Sequence, residues 1–125
     1  MTPHFAAAEL ACKCGCGMLP KQDFMDKVET LRVKLGRPLR VSSAARCPEH
    51  NATVSATGLT GPHTTGRAID LLCSGLVAFE VMELAFNMSF TGIGVSQKGE
   101  HLKRFIHIDD LTNAAGQPRP TVWSY

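Results

Sequence analysis

The stretch "GPHTTGRAIDLL", Gly61–Leu72, runs a glycine-rich loop into an apolar segment and leaves one carboxylate inside that segment. Gly61-Pro62 opens a turn and His63 follows at once. Ala68, Ile69, Leu71 and Leu72 then read as a buried strand in which Asp70 is the polar exception. An ionised carboxylate is costly to bury alone, so a carboxylate at the mouth of such a strand, with an imidazole one short loop upstream, requires a partner.

A second stretch, "RFIHID" at 104–109, supplies candidates. Side chains alternate along a strand, so Phe105, His107 and Asp109 share one face and Ile106 and Ile108 the other. With the isoleucines turned to a core, His107 and Asp109 face a cleft. A single strand histidine is ordinarily a structural residue, but His63, Asp70 and His107 together offer two imidazoles and a carboxylate. That set suits Zn2+ held by three protein ligands with a fourth position left to water.

Outward from these two stretches the chain reads as α+β. Phe5 to Ala11 predicts a short helix stopped by the cysteine loop. Phe24, Val28, Leu31 and Leu35 recur at helical spacing over Lys21 to Leu35, with Gly36 at the C-cap. Leu39 to Ser43 predicts a strand, Pro48 to Ala56 a short helix, and Leu76 to Asn87 a helix with Val77, Val81, Leu84 and Ala85 on one face. "TGIGV" at 91–95 and "RFIHID" are the remaining strands, joined by the polar loop "SQKGEHLK". The tail "GQPRPTVWSY" is expected to lie against the body as extended chain. With no internal repeat and no linker, residues 1–125 are expected to form a single domain.

Composition excludes some function classes. The apolar fraction of 44% and charged fraction of 19% are those of an ordinary globular protein, and a formal charge of +2 is too small to argue for nucleic acid. No window is long enough for a membrane span, and "MTPHFAAAELACKCGCG" has no basic segment followed by an apolar one, so no secretory signal is expected. Cysteines stand at 12, 14, 16, 47 and 73, an odd number that cannot all pair within one molecule. The Cys-x-Cys-x-Cys run differs from the Cys-x2-Cys of a zinc knuckle. Two readings stay open: a disulfide or metal clamp from the N-terminal loop to Cys47, which Gly15 and Gly17 would suit, or free thiols. Cys73 reads as a core residue.

"PHTTGRAID" resembles the S-x-H-x-x-G-x-A-x-D signature of the M15 zinc peptidases, a group containing D-Ala-D-Ala carboxypeptidases, dipeptidases and phage L-alanyl-D-glutamate endopeptidases and related in fold to the hedgehog signalling domain. His63, Gly66, Ala68 and Asp70 match at the signature spacing, while Pro62 follows Gly61 where the pattern has Ser. "FIHID" resembles the second signature, whose strand histidine is the third metal ligand. "SSAARCPEHN" and "PRPTVWSY" are similar to segments of small single-domain members, so the resemblance spans nearly the whole chain.

The resemblance implies a small antiparallel sheet with helices packed on one side and a zinc cleft on the other, with His63, Asp70 and His107 as ligands of a catalytic Zn2+. It implies that Arg46 polarises the scissile carbonyl and stabilises the tetrahedral oxyanion; the competing role for Arg46 is a surface cation at a strand end. Some branches place an acid shortly before the last histidine, but three positions earlier this chain has Arg104, which cannot take a proton. Candidates for the general base are Asp109, His101 and Glu100, in that order, with orientation of His63 or His107 as the alternative role for Asp109. Arg67 could face solvent or pair with Asp109.

The implied substrate is the peptidoglycan stem peptide, cleaved at L-Ala–D-Glu, with D-Ala-D-Ala hydrolysis as the alternative and a non-catalytic zinc-containing cell-wall binding module as the alternative of another class. The compact size resembles phage lysis enzymes. A monomer made in the cytoplasm, released by a holin or similar export route and acting in the periplasm or cell wall, is the corresponding expectation.

Overall fold

Strand β4, Phe105–Asp109, is the centre of the molecule, and its alternation is the one the sequence predicts: Ile106 and Ile108 are fully buried in the core. In the computed structural model, which describes residues 1–125, β4 lies between β2 (Ala68–Leu72) and β3 (Gly92–Ser96). Strand β1 (Arg40–Ser43) forms one edge and β5 (Thr121–Ser124) the other, so the order is β1-β2-β4-β3-β5. The first four strands pair antiparallel, as expected for this fold class, whereas β5 pairs parallel to β3. The sheet is therefore mixed. The tail, expected only to lie against the body, is its fifth strand, because Thr121 N donates to the Thr91 carbonyl at 2.8 Å and starts the ladder.

Helices α1 (Ala7–Leu10), α2 (Gln22–Leu35), α3 (Pro48–Val54) and α4 (Gly75–Asn87) follow the predicted segments, each end falling within two residues of its expected position. Helices α2 and α4 contact each other and bury Phe24, Val28, Leu31, Ala78, Val81 and Ala85 against Ile69, Leu71, Ile93, Ile106 and Ile108 of the sheet. Burial of this apolar face is the main stabilising term, at roughly 25 cal/mol per Å2. Cys73 is only half-buried, at the end of β2, rather than inside this core.

The loop that carries His63 is anchored just after it by two ties. A 3-10 turn at Pro62–Thr65 holds the histidine, and Gly66 ends it with a left-handed φ of 75°, a conformation that strains any residue with a Cβ. The Gly66 carbonyl accepts from Lys21 N at 2.8 Å, which ties the loop to the start of α2. Arg67 adds a second tie, pairing with Asp110 at 2.7 Å and with Asp23 at 2.9 Å; Lys27 joins Asp110 at 3.0 Å. Arg67 thus spans helix and sheet rather than meeting Asp109.

Candidate metal centre

Cross-strand register aligns two of the candidate ligands, Asp70 and His107, in one row across the sheet. Ser43 of β1 opposes Asp70 of β2, Asp70 opposes His107 of β4, His107 opposes Gly94 of β3, and Gly94 opposes Trp123 of β5. Because directly opposed residues share a sheet face, Asp70 and His107 meet on the side away from the helices. His63 descends on them from the 3-10 turn, its ring 5.1 Å from that of His107, edge to face. His63 is 6% exposed, Asp70 6% and His107 1%.

Each imidazole has one nitrogen fixed outward and one turned to the carboxylate. His63 Nδ1 lies 2.7 Å from the Ala44 carbonyl, where it donates, which leaves Nε2 facing Asp70 Oδ1 at 3.3 Å. His107 Nε2 lies 2.8 Å from Asp109 Oδ2 and Nδ1 3.0 Å from the same Asp70 oxygen. The three ligand atoms lie within 4.8 Å of one another. This donor set fits a divalent ion with an open coordination position: two nitrogens and an oxygen converge, and the remote nitrogens are already hydrogen-bonded in the manner that orients metal-ligating histidines.

The electrostatics match that geometry. Burial raises the Asp70 carboxyl, but hydrogen bonds from His107 and His63 outweigh it, and Asp70 sits well below the usual carboxylate range. Burial lowers His107, while Asp109 and Asp70 raise it by more, so the net shift is upward. Asp109 is fully buried and is held below the carboxylate range, against its desolvation, by His107 and Arg119. Arg119 grips it with Nε at 2.9 Å and Nη2 at 2.8 Å, and Leu111 N donates to it at 3.3 Å.

Arg46 is a cleft residue rather than a surface cation. It donates from Nε to Ser43 Oγ at 3.1 Å and from Nη1 to Asn51 Oδ1 at 2.9 Å, leaving Nη2 3.9 Å from Asp70 Oδ2. Asn51 is itself buried, bound to Thr57 and to the Gly58 carbonyl, so the guanidinium is held in place from behind. Glu100 and His101 are not brought to the trio. Both are exposed at a 3-10 turn spanning His101–Lys103, outside the cleft lining, and Glu100 faces Lys103 at 3.5 Å.

The trio sits in a cleft of about 880 Å3 whose far wall is built by the tail, including Arg119, Trp123 and Tyr125. The Trp123 ring lies 4.9 Å from His107, and Tyr125 packs on Phe105 at 5.1 Å. Gly92 and Gly94 make this possible: a Cβ at Gly92 would collide with the Asp109 carboxylate, and one at Gly94 would come within 2.8 Å of the Trp123 indole. Sequence reading assigned no role to Arg119, Trp123, Tyr125 or Asn51. The available signal was an arginine between two prolines, followed by the only Trp and the only Tyr of the chain.

A comparison with curated proteins gives no match. A family model described as Peptidase M15 matches residues 3–109, a span that contains the whole histidine and aspartate trio and Arg46. With that match covering most of its length, the chain belongs to the M15 family of metal-dependent peptidases.

Proposed function

We propose that the chain is a zinc-dependent L-Ala–D-Glu endopeptidase of peptidoglycan stem peptides, with Zn2+ held by His63, Asp70 and His107. The observation that carries the choice of bond is the cationic inventory of the cleft. Its only Lys or Arg side chains are Arg46, the cation for the oxyanion, and Arg119, which is paired with the Asp109 carboxylate. A carboxypeptidase requires a further fixed cation for the terminal carboxylate of its substrate. Lys103 is exposed beside Glu100, Arg104 donates to the Gly99 carbonyl, and Arg67 is committed to Asp110 and Asp23, so none of these supplies it.

When bound, Zn2+ supplies Lewis acidity and makes hydroxide available near neutral pH. Arg46 then contributes the cation for the developing oxyanion, preset by Ser43 and Asn51 so that little reorganisation accompanies the reaction. Asp109 acts through His107, fixing its tautomer and ring plane; its oxygens already serve His107, Arg119 and Leu111, which disfavours it as the proton acceptor. Tyr125 lines the cleft, and its hydroxyl, pushed up by burial and by the Asp70 charge, stays protonated. No helix is long and apolar enough to cross a membrane, and a holin or similar export route to the wall, with the enzyme acting as a monomer, completes this reading.

Mass spectrometry of purified peptidoglycan after digestion tests it. New N-terminal D-Glu on stem peptides shed from the glycan is the expected result. Release of free D-Ala with the L-Ala–D-Glu bonds intact would replace the endopeptidase with a carboxypeptidase, and zinc loading without any hydrolysis would leave a binding module.

A further inference from the structure

Four thiols converge where the loop after α1 meets the segment Ala44–Cys47. Cys12, Cys14 and Cys16 lie on the loop after α1, and Cys47 caps the start of α3. All four sulfurs fall within 4.8 Å of one another, with Cys12 to Cys14 at 3.4 Å and Cys14 to Cys47 at 3.6 Å. All five cysteines of the chain are free thiols. A tetrahedron of thiolates around Zn2+ at about 2.3 Å has sulfur–sulfur edges of about 3.8 Å, close to these separations.

We propose that Cys12, Cys14, Cys16 and Cys47 hold a second Zn2+ in a closed, structural tetrathiolate site. The backbone is arranged for it. Gly15 and Gly17 both take a φ of 86°, which doubles the loop back so that alternate residues, 12, 14 and 16, can present their sulfurs to one point. Cys47 N donates to Cys12 Sγ at 3.3 Å and His50 N to Cys47 Sγ at 3.4 Å, contacts that stabilise negative charge on coordinating sulfur. Two disulfides would need the sulfurs to separate into two pairs at about 2.05 Å, whereas here Cys14 is nearly equidistant from Cys12 and Cys47. Tetrahedral coordination by four sulfurs suits zinc among the divalent ions.

The ion's role follows from what lies next to Cys47. The Ala44 carbonyl orients His63, Arg46 N donates to the His63 carbonyl at 3.1 Å, and Ala45 N donates to the Leu10 carbonyl at 3.2 Å. A zinc ion bound by the four thiolates clamps the N-terminal loop to this segment and so holds Arg46 and His63 in place from outside the cleft. The site stands on its own geometry, independent of what the trio binds.

The full chain, purified under reducing conditions with zinc and dialysed against metal-free buffer, is expected to carry two zinc ions by mass spectrometric metal analysis. The His63→Ala, His107→Ala double variant is expected to keep one, and its cobalt form to show intense near-ultraviolet thiolate-to-metal charge transfer. Cys14→Ser with Cys16→Ser, at the two exposed positions, is expected to abolish that band and lower the zinc content from two to one. If the cysteine variant does not fold, the cobalt spectrum of the unsubstituted chain decides alone. Absence of the thiolate band there, or intact masses showing the thiols paired as disulfides in the zinc-loaded protein, overturns the proposal.

Discussion

His107 has both ring nitrogens engaged by carboxylates, Asp70 at 3.0 Å and Asp109 at 2.8 Å, and this double engagement determines how single substitutions act. His107→Ala removes one of three candidate ligands and is expected to abolish stoichiometric zinc at the trio together with nearly all hydrolysis; metal analysis of the purified variant, with the thiol-bound ion subtracted through its cobalt spectrum, checks it. Asp109→Asn keeps an acceptor beside Nε2 but removes the charge that raises ligand basicity, and is expected to weaken zinc at the trio by ~10–100-fold while Arg46 remains in place. Gly92→Ala is expected to act the same way, since its new methyl group displaces the Asp109 carboxylate without touching a candidate ligand. If Asp109 were instead the proton acceptor, Asp109→Asn would suppress turnover with zinc affinity unchanged. Of these relations, the shared face of His107 and Asp109 was legible from the alternation of "RFIHID". The partner of Asp109, Arg119, was not, because a stretch of turns separates the two and no periodicity links them.

At the scale of elements, β4 separates core from cleft by alternation alone. Ile108→Ala empties the helix-facing side and is expected to cost ~2–5 kcal/mol in denaturant unfolding while leaving the candidate ligands in register. Strand β5 belongs to the site as much as to the sheet. It is joined through its ladder to β3, through Trp123 against His107, and through Arg119, which lies just before it and stacks 5.3 Å from the Trp123 ring. Arg119→Ala leaves Asp109 fully buried without its cation, so a loss of ~3–5 kcal/mol is expected, read as a lower thermal midpoint in the metal-free chain. An unchanged midpoint would mean that the tail contributes nothing to holding Asp109. The amphipathic helices were legible because a 3.6-residue period is a local property. A lone edge strand such as β5 carries no comparable pattern, and its parallel pairing depends on where the chain returns after Asp109.

For the whole molecule, the buried charges set opposite dependences on pH. Asp70, Asp109 and Asp110 have lowered folded values, so they contribute stability above the ordinary carboxylate value of about 3.8, and it is lost as pH falls through their depressed folded values. His107 has a raised folded value: its contribution to the metal-free chain is complete below about 6.5 and disappears as pH rises through the raised value. The metal requires neutral imidazole, so the proton that the two carboxylates stabilise on His107 competes with zinc at pH values already above about 6.5. The thermal stabilisation given by zinc at the trio is therefore expected to grow steadily from about pH 6 to about pH 8, followed as the difference in midpoint with and without chelator in the Cys14→Ser, Cys16→Ser background; a difference independent of pH would show that His107 is not a ligand. By itself the sequence determined the α+β class, the helices, the strand faces and the trio, because periodicity, turn residues and motif spacing are written in neighbouring residues. Only the tertiary structure decided that Asp109 is enclosed by Arg119, that Glu100 and His101 lie outside the cleft, that Arg67 serves Asp110, and that four cysteines meet at one point, because each depends on distances between residues far apart in the chain, which are fixed only when the sheet closes over its core.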